Sequence, residues 1–243
     1  TKNINSFVDL SALAPGLTVA KNEGFKTVVS IRGVGNETNQ NAIAAPSVAY
    51  HMDGIFIASP FSLQTDFIDV ERIEVLRGPQ GTLFGQNSTG GAINVISKAP
   101  STSELEGKTD LTVGNYGLTK TRGSINLPIS DSVATRTSIS VTKRDGFSDN
   151  IFNGQELDDA DHLSFRTDWL FETSDTSSIR VFAQYFDADN NGAAMKGFYD
   201  TTPDKRKLSQ NTLSKYELES TVIGAIGEAD LGFASLTPLA SWQ

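Results

Sequence analysis

The sequence predicts a small α+β domain over residues 1–100, followed over residues 101–243 by antiparallel strands of the transmembrane β-barrel type. Three observations carry this reading. Short apolar runs separated by Gly- and Pro-rich turns fill the first part, and five of the eight prolines lie there. Long segments with strict apolar/polar alternation fill the second. Charge divides with them: residues 1–100 hold 7 basic and 8 acidic side chains, residues 101–243 hold 13 and 21. A boundary falls near Ala99-Pro100-Ser101, where a strand pattern gives way to a Pro/Ser/Thr linker.

In the first part, Asn3 or Asn5 caps a short helix through Phe7, Val8, Leu10 and Leu13, ended by Pro15-Gly16. Strands are expected at 27–31, 47–50, 55–57, 72–76 and 92–96, where β-branched residues alternate. Asp53-Gly54 between two of these runs is a hairpin turn signal. In the second part, alternating sets occur at 111–113, 121–127, 133–141, 163–171, 179–185 and 216–224; a seventh, 233–242, alternates poorly around Pro238. Connections at 128–132, 173–177 and 229–232 are short, whereas 145–160 and 188–213 are long and polar. Strands of about ten residues with short turns at one end and long loops at the other fit an outer-membrane barrel. A soluble sandwich with one solvated face has the same periodicity. In the barrel reading Ile139, Val141, Trp169, Phe171, Val181 and Tyr185 point outward, and Arg122, Arg136, Arg166 and Asp168 point into the lumen.

Composition excludes several functions. The chain has no cysteine and two histidines, His51 and His162, so disulfide frameworks, thiolate metal sites and all-His zinc sites are ruled out. A net charge of -9 argues against nucleic acid. The Gly85–Gly91 stretch has P-loop glycine spacing without the Lys and Ser/Thr that grip phosphate and Mg²⁺. Asp187-Ala-Asp189-Asn-Asn191-Gly192 matches half of a Ca²⁺ loop, but Phe198 stands where the bidentate Glu belongs. There is no nucleophile–base constellation and no cofactor signature. Strict strand alternation puts Glu71 and Glu74 on opposite faces, so no catalytic pair arises. His51 and His162 read as packing or surface residues. The acidic 145–161 segment reads as a solvated loop or as a surface that meets the divalent ions bridging lipopolysaccharide.

One stretch is more specific. Val70 to Lys98, with Glu71-Arg72, Glu74, Arg77-Gly78-Pro79, Gly81, Gly85, Gly90-Gly91 and Asn94, closely resembles the plug signature of TonB-dependent outer-membrane receptors. Val29–Gly35, with Arg32-Gly33, is similar to the family's earlier Arg-Gly segment, and Tyr50–Ile55 to its Asp53-Gly54 hairpin. The resemblance implies an α+β plug domain at 1–100 and the first barrel strands at 101–243, about seven of the roughly 22 strands of a plugged barrel. No TonB box is seen; Thr1 has no leader before it, and Ala240–Gln243 read as a strand without a closing turn. The resemblance further implies that Arg32 and Arg77 latch the plug to glutamates on later wall strands. The implied function is active import, without catalysis, of a scarce ligand, foremost a ferric siderophore. Saccharide, vitamin B12, haem or aromatic cargo are the alternatives within the family, and a soluble β-rich binding domain is the alternative outside it. Implied partners are TonB with its inner-membrane energising complex, outer-membrane lipid and lipopolysaccharide, and the small ligand. Asn36, Thr38, Asn39, Gln40 and Asn41, in the polar 35–45 loop, are the expected ligand contacts, with 59–65 as a second apex segment.

Overall fold

In the computed structural model, residues 7–11, 14–22, 26–35, 46–58 and 67–243 are described. The N-terminal domain opens with α1 (Phe7–Leu10) and a three-stranded antiparallel sheet of β1 (Leu17–Asn22), β2 (Lys26–Ile31) and β3 (Val34–Gly35). A second sheet has the order β5-β4-β7-β6 and uses β4 (Val48–Met52), β5 (Ile55–Phe56), β6 (Val70–Arg77) and β7 (Gly91–Ser97). β4 and β7 run parallel, and β6 returns antiparallel beside β7. The expected strands are all present, and β1 and β3 add to them. The glycine-containing 78–85 segment holds one helical turn, α2 (Gly81–Phe84). Asn3, Asn5 and Leu13 lie outside the described residues.

The remainder is a meander of long strands: β8 (Glu106–Val113), β9 (Thr119–Ser130), β10 (Val133–Arg144), then two short strands β11 (Ser148–Asn150) and β12 (Gln155–Leu157), then β13 (Ala160–Ser174) and β14 (Ser177–Asn190). The two-residue β15 (Lys207–Leu208) precedes β16 (Tyr216–Asp230). β17 (Ser235–Leu236) and β18 (Leu239–Trp242) both pair with β16, so the seventh expected strand is broken in two around Pro238. Pro238 has no amide to donate and breaks the ladder there. The long connections are less irregular than their composition implies: β11, β12 and β15 pair into a small sheet that ties the two loops together.

Register settles which side chains share a face. Arg136 stands opposite Asp168, Ser138 opposite Arg166, and Ser140 opposite both Arg122 and Ser164. This face lies against the N-terminal domain. The alternate positions Ile139, Phe165, Trp169, Phe171, Ile179, Val181 and Ile223 are exposed on the other face. The apolar band therefore points outward, as the alternation predicted. No helix among the described residues is long and apolar enough to cross a membrane.

One apolar core joins the two parts. Ile31, Tyr50, Met52, Ile55, Ile93 and Val95 of the N-terminal domain pack in a single cluster with Phe182, Val222 and Ile226 of the wall. Glycine makes two close approaches possible. At Gly91 (φ +146) a Cβ would lie 2.3 Å from the Leu76 carbonyl oxygen and 2.8 Å from Ile31. At Gly224 it would meet the Phe182 ring at 2.5 Å and Ile55 at 2.8 Å, so β16 has no side chain where β5 meets the wall.

Candidate functional site

The ionic contacts between the N-terminal domain and the wall gather at two points; a neutral one at the edge joins Gln243 to the Ala58 amide and the Phe56 carbonyl at 3.3 and 2.7 Å. At the first, the β4–β5 hairpin turns through Asp53 (φ +51) and Gly54 (φ +81), the conformation that an Asp-Gly pair adopts in a tight hairpin. The turn carries the Asp53 carboxylate to the wall. Its Oδ2 accepts hydrogen bonds from Arg166 Nη2 at 2.7 Å and Arg180 Nη2 at 3.2 Å, and its Oδ1 accepts the Ser97 amide at 2.9 Å. On the wall, Asp168 accepts from Arg166 Nε at 2.7 Å and Nη2 at 3.0 Å, and from Arg180 Nε at 2.7 Å. Arg166 also donates to Gln184 Oε1 at 3.2 Å, and its guanidinium lies 4.1 Å over the Phe182 ring. The side chains of Asp53, Arg166 and Asp168 are 2%, 4% and 4% exposed. Two carboxylates and two guanidiniums make a neutral, mutually saturated set, the condition under which buried charge is tolerated.

The second point lies at the start of β6. Asp69 (φ +50) receives Arg136 through both Nε and Nη2, the latter at 3.0 Å, and Ser138 Oγ at 3.3 Å. Arg136 also donates to Glu106 Oε2 at 3.1 Å, and Lys98 Nζ donates to both Glu106 oxygens at 2.6 Å. Asp69, Glu106, Arg136 and Lys98 again sum to zero charge. In both sets the N-terminal domain supplies the carboxylate that meets a wall arginine. This polarity is opposite to the one that the resemblance attached to Arg32 and Arg77.

A polar chain supports the hairpin. Gly54 N donates to Asn94 Oδ1 at 3.2 Å, and Asn94 Nδ2 donates to Glu74 Oε2 at 3.1 Å. Glu74 accepts Arg72 Nε at 2.9 Å, while Arg72 Nη1 reaches Glu71 at 2.8 Å. Asp53, Gly54, Glu71, Arg72, Glu74 and Asn94 are thus brought into one neighbourhood. The opposite-faces reading of Glu71 and Glu74 needs correction, because Arg72 bridges both. A register shift between Val70 and Arg72 interrupts the strict alternation. Tyr50, beside the first ionic set, is buried; burial and then the Asp53 charge push its hydroxyl well above the ordinary tyrosine range. His51, on the opposite side of β4, packs between Phe56 and Phe84 at centroid distances of 5.5 and 4.9 Å. Burial lowers its proton affinity.

The other expected site residues lie elsewhere. Arg32 (φ +53) and Gly33 form the β2–β3 turn, and Arg77 ends β6 opposite Gly91. Both arginines are exposed, and among the described residues neither has an ion pair. Arg32 sits in a turn and Arg77 at a strand end. The exposed Pro79 follows Gly78, whose amide donates to the Gly90 carbonyl at 3.1 Å, and Gly90 donates to Ser47 at 2.8 Å. Gly81 opens α2 and Gly85 (φ +70) follows it. Asn36, Thr38, Asn39, Gln40, Asn41 and residues 59–65 lie outside the described residues. Asp187 and Asp189 belong to β14, and no metal-holding group of three His, Cys, Asp or Glu occurs among the described residues.

The loops at the far end of the wall are fastened by their own polar groups. Arg206 donates to Tyr116 Oη, and its guanidinium lies 5.7 Å from the Phe147 ring centre, joining three connections. Asp158 accepts Ser148 Oγ at 2.6 Å and the Ala194 amide at 3.1 Å, so this part of the acidic segment is spent on internal bonds. Hydrogen bonds from Thr202 and Ser209 hold Asp200 down to about 2. Outside the loop framework, Phe198 and Tyr199 stack edge to face and are 94% and 91% exposed.

Sequence reasoning pointed Arg136, Arg166 and Asp168 inward but gave them no partners, and it missed Asp69 and Arg180. The available signal was an arginine at an inward position of each of β9, β10, β13 and β14. The plug carboxylates that meet three of them lie 67 to 127 residues away in sequence.

Comparison with known proteins gives a consistent result. The family model of the TonB-dependent receptor plug domain matches residues 1–92. The pesticin receptor of Yersinia pestis is 37% identical over 94 residues, covering 37% of this chain and 13% of that protein. The ferripyoverdine receptor of Pseudomonas aeruginosa is 24% identical over 216 residues, covering 86% of this chain and 24% of that protein. Among solved structures, the ferric yersiniabactin uptake receptor of Yersinia pestis superposes with a TM-score of 0.79 at 22% identity, over 96% of this chain and 37% of that one. The siderophore receptor of Acinetobacter baumannii gives 0.74 at 17% identity, over 98% and 34%. The chain thus spans well under half the length of these relatives.

Proposed function

We infer from this chain, which belongs to the TonB-dependent receptors and carries their plug domain joined to barrel strands of the outer membrane, that the whole protein imports a ferric siderophore. In this reading TonB and its inner-membrane energising complex move the plug, the loop end and plug apex bind the ligand, and the outer surface meets lipid and lipopolysaccharide. The role is transport and not catalysis. The domain boundary is taken at residue 100.

The observation that carries the reading is the seating of the plug. Its hairpin is tied to the wall by a buried, charge-neutral set of Asp53, Arg166, Asp168 and Arg180, and its core is continuous with Phe182, Val222 and Ile226. Such a plug blocks the lumen at rest and needs work to move. Iron-chelate cargo draws support from relatives named for ferripyoverdine and ferric yersiniabactin. Arg32, Arg77 and the glycines around them are proposed to dock on wall strands beyond those of this chain, and Asn36–Asn41 to touch ligand.

The test uses the full-length gene. A deletion strain is expected to lose TonB-dependent uptake of radiolabelled iron supplied as a ferric siderophore, and the plasmid-borne gene to restore it. Unchanged iron uptake, with growth on a saccharide, vitamin B12 or haem lost in its place, would move the cargo within the family. Plug and wall that separate as soluble, detergent-independent domains would overturn the receptor reading.

A further inference from the structure

Four arginines of the wall face the plug side, and the strand register fixes their heights. Arg122 on β9 stands opposite Ser140, and Arg166 on β13 stands opposite Ser138. Arg136 on β10 occupies the next level. Arg180 on β14 stands opposite Leu170, which is itself opposite Ala134. The four thus descend one inward position at a time, from the level of residue 140 to that of residue 134, a step of about 6.7 Å. They run from the loop end toward the short-turn end across four neighbouring strands.

The carboxylates at these levels divide into two kinds. Asp110, opposite Arg122, Asp168, opposite Arg136, and Glu106, which accepts from Arg136, belong to the wall. Asp53 and Asp69, which meet Arg166, Arg180 and Arg136, belong to the plug. While the plug is seated, the four arginines face five carboxylates. When it leaves, four cations face three, and Arg166, Arg180 and Arg136 each lose the plug carboxylate and keep a wall one.

We propose that the plug carboxylates Asp53 and Asp69 hold the places of an anionic ligand, and that plug displacement uncovers Arg166, Arg136 and Arg180, which with Arg122 make a descending track for oxygen-rich anionic chelates. An anion with several oxygens bridges successive guanidiniums at this spacing, releasing one as it engages the next. Arginine suits the task because its fork stays charged and accepts carboxylate or catecholate oxygens in pairs. The application to cargo rests on the import reading above; the charge of the opened route does not.

The test separates loosening the plug from removing the track. In the full-length receptor, Asp53→Asn with Asp69→Asn weakens docking and keeps all four arginines. Arg136→Gln with Arg180→Gln breaks the Asp69 contact and one of the two Asp53 contacts, leaving Arg166 on Asp53, and removes half of the track. Both variants are inserted into planar bilayers under a KCl gradient, with chloride as the anionic probe. The Asp variant is expected to conduct with a Cl⁻/K⁺ permeability ratio above about 3, as a positively lined route concentrates anions, and the Arg variant with a ratio near 1. Arg136→Lys with Arg180→Lys, which keeps charge without the fork, restores anion preference. Equal selectivity in the Asp and Arg variants, cation preference in the Asp variant, or no conductance in any variant would overturn the proposal. Anion selectivity as expected, with no iron uptake by the unmodified receptor, would reject the cargo reading alone.

Discussion

Asp53 shows how much one residue asks of its surroundings. Its left-handed backbone is acceptable because Asp tolerates that region and Gly54 follows. Its carboxylate is buried, so it needs the two guanidiniums that the wall provides. Asp53→Asn keeps the shape and removes the charge, leaving Arg166 and Arg180 to share Asp168. Breaking a buried pair costs roughly 3–5 kcal/mol, so amide hydrogen exchange of β4 in the full-length receptor should accelerate by at least a hundredfold. His51 makes a second prediction at this scale. Burial between Phe56 and Phe84 lowers its folded pKa below 6.5, so below that pH the unfolded chain binds more protons. The stability that neutral His51 contributes is therefore complete above 6.5 and is lost as pH falls toward the folded value. Thermal unfolding of the full-length receptor at pH 7.5 and pH 5 measures the slope, and His51→Phe should flatten it. The Asp-Gly turn and the packing role of His51 were legible locally. The partners of Asp53 were not, since ion pairs between distant segments leave no periodic trace.

At the level of elements, period-two alternation was enough to find the long wall strands and to assign their faces, because a one-residue slip would turn every apolar side chain inward. It failed where a local irregularity outweighed the pattern. The shift near Glu71 puts two carboxylates on Arg72, Pro238 splits the last strand, and β11, β12 and β15 form from polar segments with no alternation to read. Gly224 lay within a legible strand, but its reason is a contact. A side chain there would strike Phe182, whose ring carries Arg166, and Ile55 of the plug. Gly224→Ala should cost about 1–3 kcal/mol through overpacking. Antibiotic entry into cells carrying the full-length variant checks this: a rise is expected, whereas the same substitution at the exposed Gly197, with open space at its Cβ, should change nothing.

For the whole molecule, the outward band of Ile139, Trp169, Phe171 and Val181 and the inward run of arginines belong to one sheet with two unlike faces, one exposed and apolar, the other against the plug. The peptide chain at Ala99-Pro100-Ser101 joins the plug to the wall. Beyond that link the two are held chiefly by two neutral ionic sets and one shared apolar core. That account makes the Asp69–Arg136 contact energetically coupled. The most direct measurement is a double-mutant cycle on the full-length receptor, with Asp69→Asn, Arg136→Gln and both together, read as hydrogen-exchange stability of β6 and β7. Each single change should destabilise the plug by about 3 kcal/mol or more, and the double should cost clearly less than their sum, because the second change removes a charge already left without its partner. Strict additivity, or single changes without effect, would contradict the claim that plug carboxylates on wall arginines hold the receptor shut.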